Sequence, residues 1–233
     1  MILGIDTSSA LTSVAIIEGE VTVASAEHDD PRQHGEVLAS LVEHAMTQAG
    51  RPTISEIACG VGPGPYTGLR VGIATATALG LAWQVPVYGV CSLDALASRL
   101  APGATESFVV ASDARRREAY WAVYDAQGHR LTGPFVGAVA DIAHETRHRP
   151  WMGEGAQLAS QFVAWTGDAS RPTAVDVARL VRCLLLANET LGPQVQALST
   201  HGTDDGSTAD QLAGSRLLPP VPLYVRRPDA MGG

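Results

Sequence analysis

Three short stretches of this sequence carry residue types that could do chemistry. The first is Asp6-Thr7-Ser8, directly after the apolar run Ile2-Leu3-Gly4-Ile5. A carboxylate and two hydroxyls at the end of a buried strand can face nucleotide phosphates and position a metal or a water. The same residues can instead cap their own turn. The second is Gly62-Pro63-Gly64-Pro65-Tyr66-Thr67-Gly68. Glycines let backbone approach an anion closely, and a helix opening at Thr67 would favour negative charge at its N-terminus. Pro63 and Pro65 each remove an N–H donor, and no lysine follows Gly68, so this is not a Walker loop. The alternative is a rigid loop that presents the helix to another subunit. The third is Arg115-Arg116-Arg117, a candidate contact for phosphates or for an acidic partner; a solvated charge run is the alternative. His144 and His148 have i, i+4 spacing but lack a third ligand in sequence, and a surface helix explains them. No G-x-S-x-G elbow occurs, and no serine, histidine and aspartate are linked into a triad.

Composition narrows the classes. All 16 basic residues are arginine. The absence of lysine excludes Schiff-base chemistry and a lysine general base. The net charge of −8 gives the chain no overall pull towards nucleic acid. Apolar residues make up 45% and charged residues 17% of 233, enough for a real core. Cys59, Cys91 and Cys183 are widely spaced, as expected of reduced, buried, structural thiols in a cytosolic protein. The start of the chain has no basic region typical of a signal peptide. The most apolar long stretch, Leu69 to Trp83, contains Arg70 and Gly72 and is too short for a bilayer.

These stretches need elements to position them. Ile2–Ile5, Ser13–Ile17 and Val21–Ala24 read as strands of an antiparallel meander. A helix is expected from His34 to Ala49, with Val37, Leu38, Leu41, Val42, Ala45 and Met46 at helical spacing and Gly50 and Pro52 after it. Ile57–Val61 reads as a strand. Thr67–Trp83 reads as a helix dense in small residues, Val85–Val90 as a strand and Leu93–Leu100 as a helix. The pattern then repeats. Phe108–Ser112 leads to Asp113, Glu118–Tyr124 follows, and Gly128 turns the chain into a strand near Leu131. Strand, Asp, turn, strand, glycine turn, strand occurs twice, which reads as an internal duplication. Further helices are expected near Ala140–His148, Gln157–Thr166 and Val175–Thr190. Residues 201–216 read as a mobile insertion, and Val221–Val225 as an edge segment tying the tail to the body. The expected units are lobes 1–103 and 104–200, the loop 201–216 and the tail 217–233.

Taken together, these residues resemble a known family. They are Ile2 to Ser8, His34 opening a helix, Gly60 to Ile73, Ser112 to Arg116, and Tyr224-Val225-Arg226. This pattern is similar to the bacterial TsaB (YeaZ) family of tRNA threonylcarbamoyladenosine biosynthesis proteins, paralogues of TsaD. The run from Gly62 to Arg70 is its most specific piece. The resemblance is strong over residues 1 to about 125 and thinner beyond.

The resemblance implies an α/β, duplicated actin-like, RNase H-like (ASKHA) fold with two lobes. It implies a non-catalytic, cytoplasmic subunit that binds and activates TsaD. TsaD moves a threonylcarbamoyl group onto the adenosine next to the anticodon of tRNAs reading codons that begin with adenine. It also implies a TsaE-like ATPase as a further partner, a homodimer when TsaD is absent, and tRNA contact only through the complex. No cofactor is implied for the isolated chain, and ATP or ADP only within the complex. TsaD-like catalysts carry an H-x-E-x-H metal pair, and none of His28, His34 and His44 has that spacing. Three sets of residues are expected to matter. The partner interface is His34, Leu38, Leu41, Val42, Ala45, Arg70, Ile73, Thr77 and Ala78, on an apolar stripe wider than a sheet needs; the alternative, which holds for at least half of the apolar residues, is that both helices simply cover their own sheet. A vestigial phosphate loop, or a nucleotide contact formed only in the complex, comprises Asp6, Thr7, Ser8, Gly62, Gly64, Thr67 and Gly68. Arg115, Arg116 and Arg117 are candidate tRNA or partner contacts. No catalytic and no metal residue is expected. The alternatives are an ATP-using enzyme of the sugar-kinase or heat-shock-chaperone type, and a glycoprotease-like peptidase.

Overall fold

A computed structural model describes residues 1–167, 169–188 and 216–225, without the side chain of Glu145. The first sheet begins with β1 (Ile2–Asp6), which is buried along its length and therefore apolar without alternation. Its antiparallel neighbours follow directly, β2 (Leu11–Glu18) and β3 (Val21–Asp29). Helix α1 (His34–Gln48) crosses to β4 (Glu56–Gly60), and α2 (Tyr66–Trp83) crosses to β5 (Val87–Val90). Both β4 and β5 pair in parallel, giving the order β3-β2-β1-β4-β5.

The second sheet repeats this plan. β6 (Phe108–Asp113), β7 (Glu118–Tyr124) and β8 (Arg130–Ala138) form the meander, and β9 (Trp151–Met152) pairs in parallel beside β6. The order β8-β7-β6-β9 matches the first four strands of the other sheet. This is the duplicated actin-like architecture, with Asp6 and Asp113 at equivalent strand ends. Helices α3 (Ser92–Leu100), α4 (Val139–Thr146), α5 (Glu154–Leu158) and α6 (Ala174–Leu186) complete the described elements.

Helix packing ties the two expected lobes together across residue 103. Helix α3 lays Leu93, Leu96 and Ala97 against Phe108, Val110 and Tyr120 of the second sheet. Helix α6 lays Val177, Val181 and Leu184 against Ile2, Ile17 and Ala58 of the first. Each half therefore covers part of the other's sheet. A Thr173–Asp176 capping box starts α6, and the Ala174 N–H donates to Ser13 Oγ on β2 at 3.1 Å. Gly4 on β1 is needed here, because a methyl group would run into the Ala174 carbonyl.

Two other expectations change. The helix expected over Gln157–Thr166 is only α5, ending at Leu158, and the chain then returns so that Trp165 bridges β9 at Trp151. Cys59 and Cys91 are buried, but Cys183 is exposed on α6. The expected insertion 201–216 lies outside the described residues except at Arg216, as does the tail beyond Val225.

Candidate functional site

The turn after β1 is fully enclosed. Asp6 Oδ1 accepts from the Ser8 N–H at 2.9 Å and the Ser8 hydroxyl at 2.8 Å, and Oδ2 accepts from Ser92 Oγ at 2.8 Å. Burial pushes the Asp6 carboxyl up to about 6, against the opposing pull of those hydrogen bonds. Thr7 Oγ1 donates to the Gly68 carbonyl at 2.8 Å. The glycine loop lies directly on this turn. A methyl group at Gly60 would strike the Asp6 carboxylate, one at Gly64 the Ser8 backbone, and one at Gly72 the Thr7 hydroxyl. The structure thus brings Asp6, Thr7, Ser8, Gly62, Gly64 and Gly68 together. All six are buried, whereas Thr67 is exposed. The Thr7, Ser8 and Ser92 hydroxyls and the Ser8 N–H are spent within this cluster, and the Gly64 backbone lies against that of Ser8. Ser92 and Gly60 complete this cluster; Gly60 opens the run to Ile73 that carries the resemblance, whereas no local sequence pattern points to Ser92.

The equivalent turn in the second half is open. The Asp113 carboxylate accepts from the Arg115 N–H at 2.7 Å, and all three arginines are exposed. Arg115, Arg116 and Arg117 have φ of 64, 53 and 64°. Three consecutive non-glycine residues in the left-handed region are a strained turn. The Arg115 charge also acts on His34. Burial first, and Arg115 second, hold the His34 imidazole below its usual range. Its Nδ1 lies 2.7 Å from Thr12 Oγ1.

Between the halves lies a cleft of about 540 Å³ lined by Asp29, Arg99, Asp113, Glu154 and Arg171, among others. Its charges largely pair internally. Arg171 bridges Asp29 at 2.7 Å and Glu154 at 2.6 Å, and Arg99 pairs with Asp176 at 2.9 Å. Arg171 joins β3 of one half to α5 of the other, a contact that sequence spacing cannot reveal. Among the described residues, no three His, Cys, Asp or Glu side chains gather where they could hold a metal. Nor is any described helix long and apolar enough to cross a membrane.

The residues expected at the partner interface divide by burial. His34, Leu38, Val42, Ala45 and Ile73 are buried; the four apolar ones lie in the first core cluster and His34 beside Gly68. Leu41 and Thr77 are half-buried, and Arg70 and Ala78 are exposed. The regular apolar spacing marks the side that each helix turns towards its own sheet. The outward side of α2 keeps Arg70 and Ala78 of that set and adds Thr67, Ala74 and Leu81, at helical spacing and exposed throughout. Leu81 is 77% exposed, and the exposed Trp83 follows it at the end of the helix. Leu79, between Ala78 and Gly80, turns the other way and packs half-buried against the first core cluster.

Residues 25–179 match the family model for TsaD, tRNA N6-adenosine threonylcarbamoyltransferase. An uncharacterized protein of Mycobacterium tuberculosis is 35% identical over 236 residues, covering 98% of this chain and 93% of that one. The tRNA threonylcarbamoyladenosine biosynthesis protein TsaB of Escherichia coli is 34% identical over 171 residues, covering 70% of this chain and 73% of its own. Among solved structures, YeaZ from Pseudomonas aeruginosa superposes with a TM-score of 0.67 at 29% identity, covering 80% of this chain and 92% of that one.

Proposed function

The chain belongs to the TsaD family as a TsaB-like (YeaZ-like) member, and from that premise we propose that it is a non-catalytic subunit that binds and activates a TsaD-like enzyme. Its role is then in forming N6-threonylcarbamoyladenosine on tRNA, in the cytoplasm. The observation that carries this reading is the closed turn at Asp6. A phosphate-binding turn must offer free N–H and hydroxyl groups to an anion. Here Ser8 and Ser92 give theirs to Asp6, and the glycine loop is seated on the turn. A fold whose turn is closed in this way can still serve through its surface.

The surface proposed for the TsaD-like partner is the outward stripe of α2, centred on Ala74, Ala78 and Leu81 with Arg70 at one end. Small side chains let a second helix approach closely, and Leu81 supplies an exposed apolar anchor. Without the partner, a second copy of this chain would cover the same stripe. The TsaE-like ATPase, and ATP or ADP, would join only in the assembled complex, with Arg115, Arg116 and Arg117 as contacts for tRNA or partner there.

The test is direct binding of the purified chain to TsaD from the same organism. Leu81→Arg should weaken the complex at least about thirtyfold and leave the melting temperature unchanged. Equal binding by Leu81→Arg and the unaltered chain would remove α2 from the interface.

A further inference from the structure

We propose that Tyr224, in the C-terminal strap, is a positioning residue that sets Arg70 for partner docking. This rests on the reading of α2 as the docking element.

The strap is tied down along its described length. Leu218 exchanges backbone hydrogen bonds with Gly89 at 2.7 and 2.8 Å, adding a bridge outside β5. The Leu223 N–H donates to the Val61 carbonyl at 2.7 Å. The Leu223 side chain packs against both the first and the second core clusters, and Val225 against the second. These contacts leave Tyr224 fixed over the start of α2. Its ring stacks on Tyr66, with centroids 5.1 Å apart and planes 26° from parallel. Tyr66 in turn holds Arg70. The Arg70 guanidinium donates to the Tyr66 hydroxyl at 3.0 Å and lies 5.2 Å from its ring centroid.

Burial alone does not require this ladder. Tyr66 is 42% exposed and Tyr224 41%, and Arg70 is exposed too. What the ladder removes is freedom. An arginine side chain loses rotamer entropy on docking, and a guanidinium already held on an aromatic face loses less. Tyr66 is the first residue of α2, and no side-chain cap from Pro65 steadies that end of the helix. The stack with Tyr224 supplies that restraint.

The experiment measures binding of TsaD from the same organism to the full chain and to Tyr224→Ala, Tyr224→Phe, Arg70→Ala and the double variant Tyr224→Ala/Arg70→Ala. Tyr224→Ala should weaken binding about three- to tenfold, with the melting temperature little changed. Tyr224→Phe keeps the stacking face and should bind like the unaltered chain. In the Arg70→Ala background, Tyr224→Ala should cost nothing further. Unchanged binding by Tyr224→Ala, beside weakened binding by Arg70→Ala, would overturn the proposal and leave the docking element standing. Equal losses from Tyr224→Ala with and without Arg70 would also overturn it. If Arg70→Ala and Leu81→Arg both bind normally, the docking reading fails and this inference with it.

Discussion

Asp6 occupies a position where its charge is costly and its hydrogen bonds are complete. Burial raises its carboxyl to about 6 from an ordinary value of 3.8. The folded state therefore keeps a proton that the unfolded chain has released between these two values. Stability from this group is present below pH 4 and is lost as pH rises to 6. The difference is on the order of 3 kcal/mol. Asp6→Asn can keep the Ser8 bonds on Oδ1 and donate from Nδ2 to Ser92 Oγ, without the charge. Denaturant titrations from pH 4 to 7 should show a flatter decline for Asp6→Asn than for the unaltered chain; an unchanged slope would contradict this account of the buried carboxylate. At this scale the sequence was legible where the chemistry is local. Asp6-Thr7-Ser8 and the glycine loop are contiguous and stand out by residue type. Ser92 is 86 residues from Asp6 along the chain, so nothing in local spacing links them.

At the scale of elements, α2 separates two kinds of apolar residue. Ile73 is 7% exposed within the core, and Leu81 is 77% exposed. Ile73→Arg should cost several kcal/mol, by burying an unpaired charge, and lower the melting temperature. Leu81→Arg should leave folding intact. Thermal melts of the two variants side by side make the comparison, and equal melting temperatures would contradict the assignment of faces. Periodicity located α1 and α2 within a residue or two, but it cannot say which face meets the chain's own sheet. The α5 region failed for another reason. After Leu158 the chain folds back to place Trp165 beside Trp151, and this long-range contact overrides the local helical pattern.

For the molecule as a whole, the repeat in the sequence foretold two similar sheets, and the exchange of α3 and α6 between them was not legible. That exchange depends on which sheet face lies uncovered, a tertiary property. The halves are also joined by a buried ion pair, Asp94 with Arg130 at 3.4 Å, beside a 2.8 Å hydrogen bond from Tyr124. Asp94 Oδ2 has no hydrogen-bond partner among the described residues, so this carboxylate depends on Arg130. Arg130→Met should destabilise by about 3 kcal/mol or more. Arg171→Ala, at the more exposed bridge to Asp29 and Glu154, should cost less than about 1 kcal/mol. Denaturant unfolding ranks the two, and the reverse order would contradict the placement of the main clamp at Asp94. The central claim, activation of a TsaD-like enzyme, is tested most directly by reconstitution. TsaD, the TsaE-like ATPase, the adenylate-forming enzyme and unmodified tRNA are combined with and without this chain, and threonylcarbamoyladenosine is quantified. Product only when the chain is present is the predicted result. Equal product without it would contradict the proposed function.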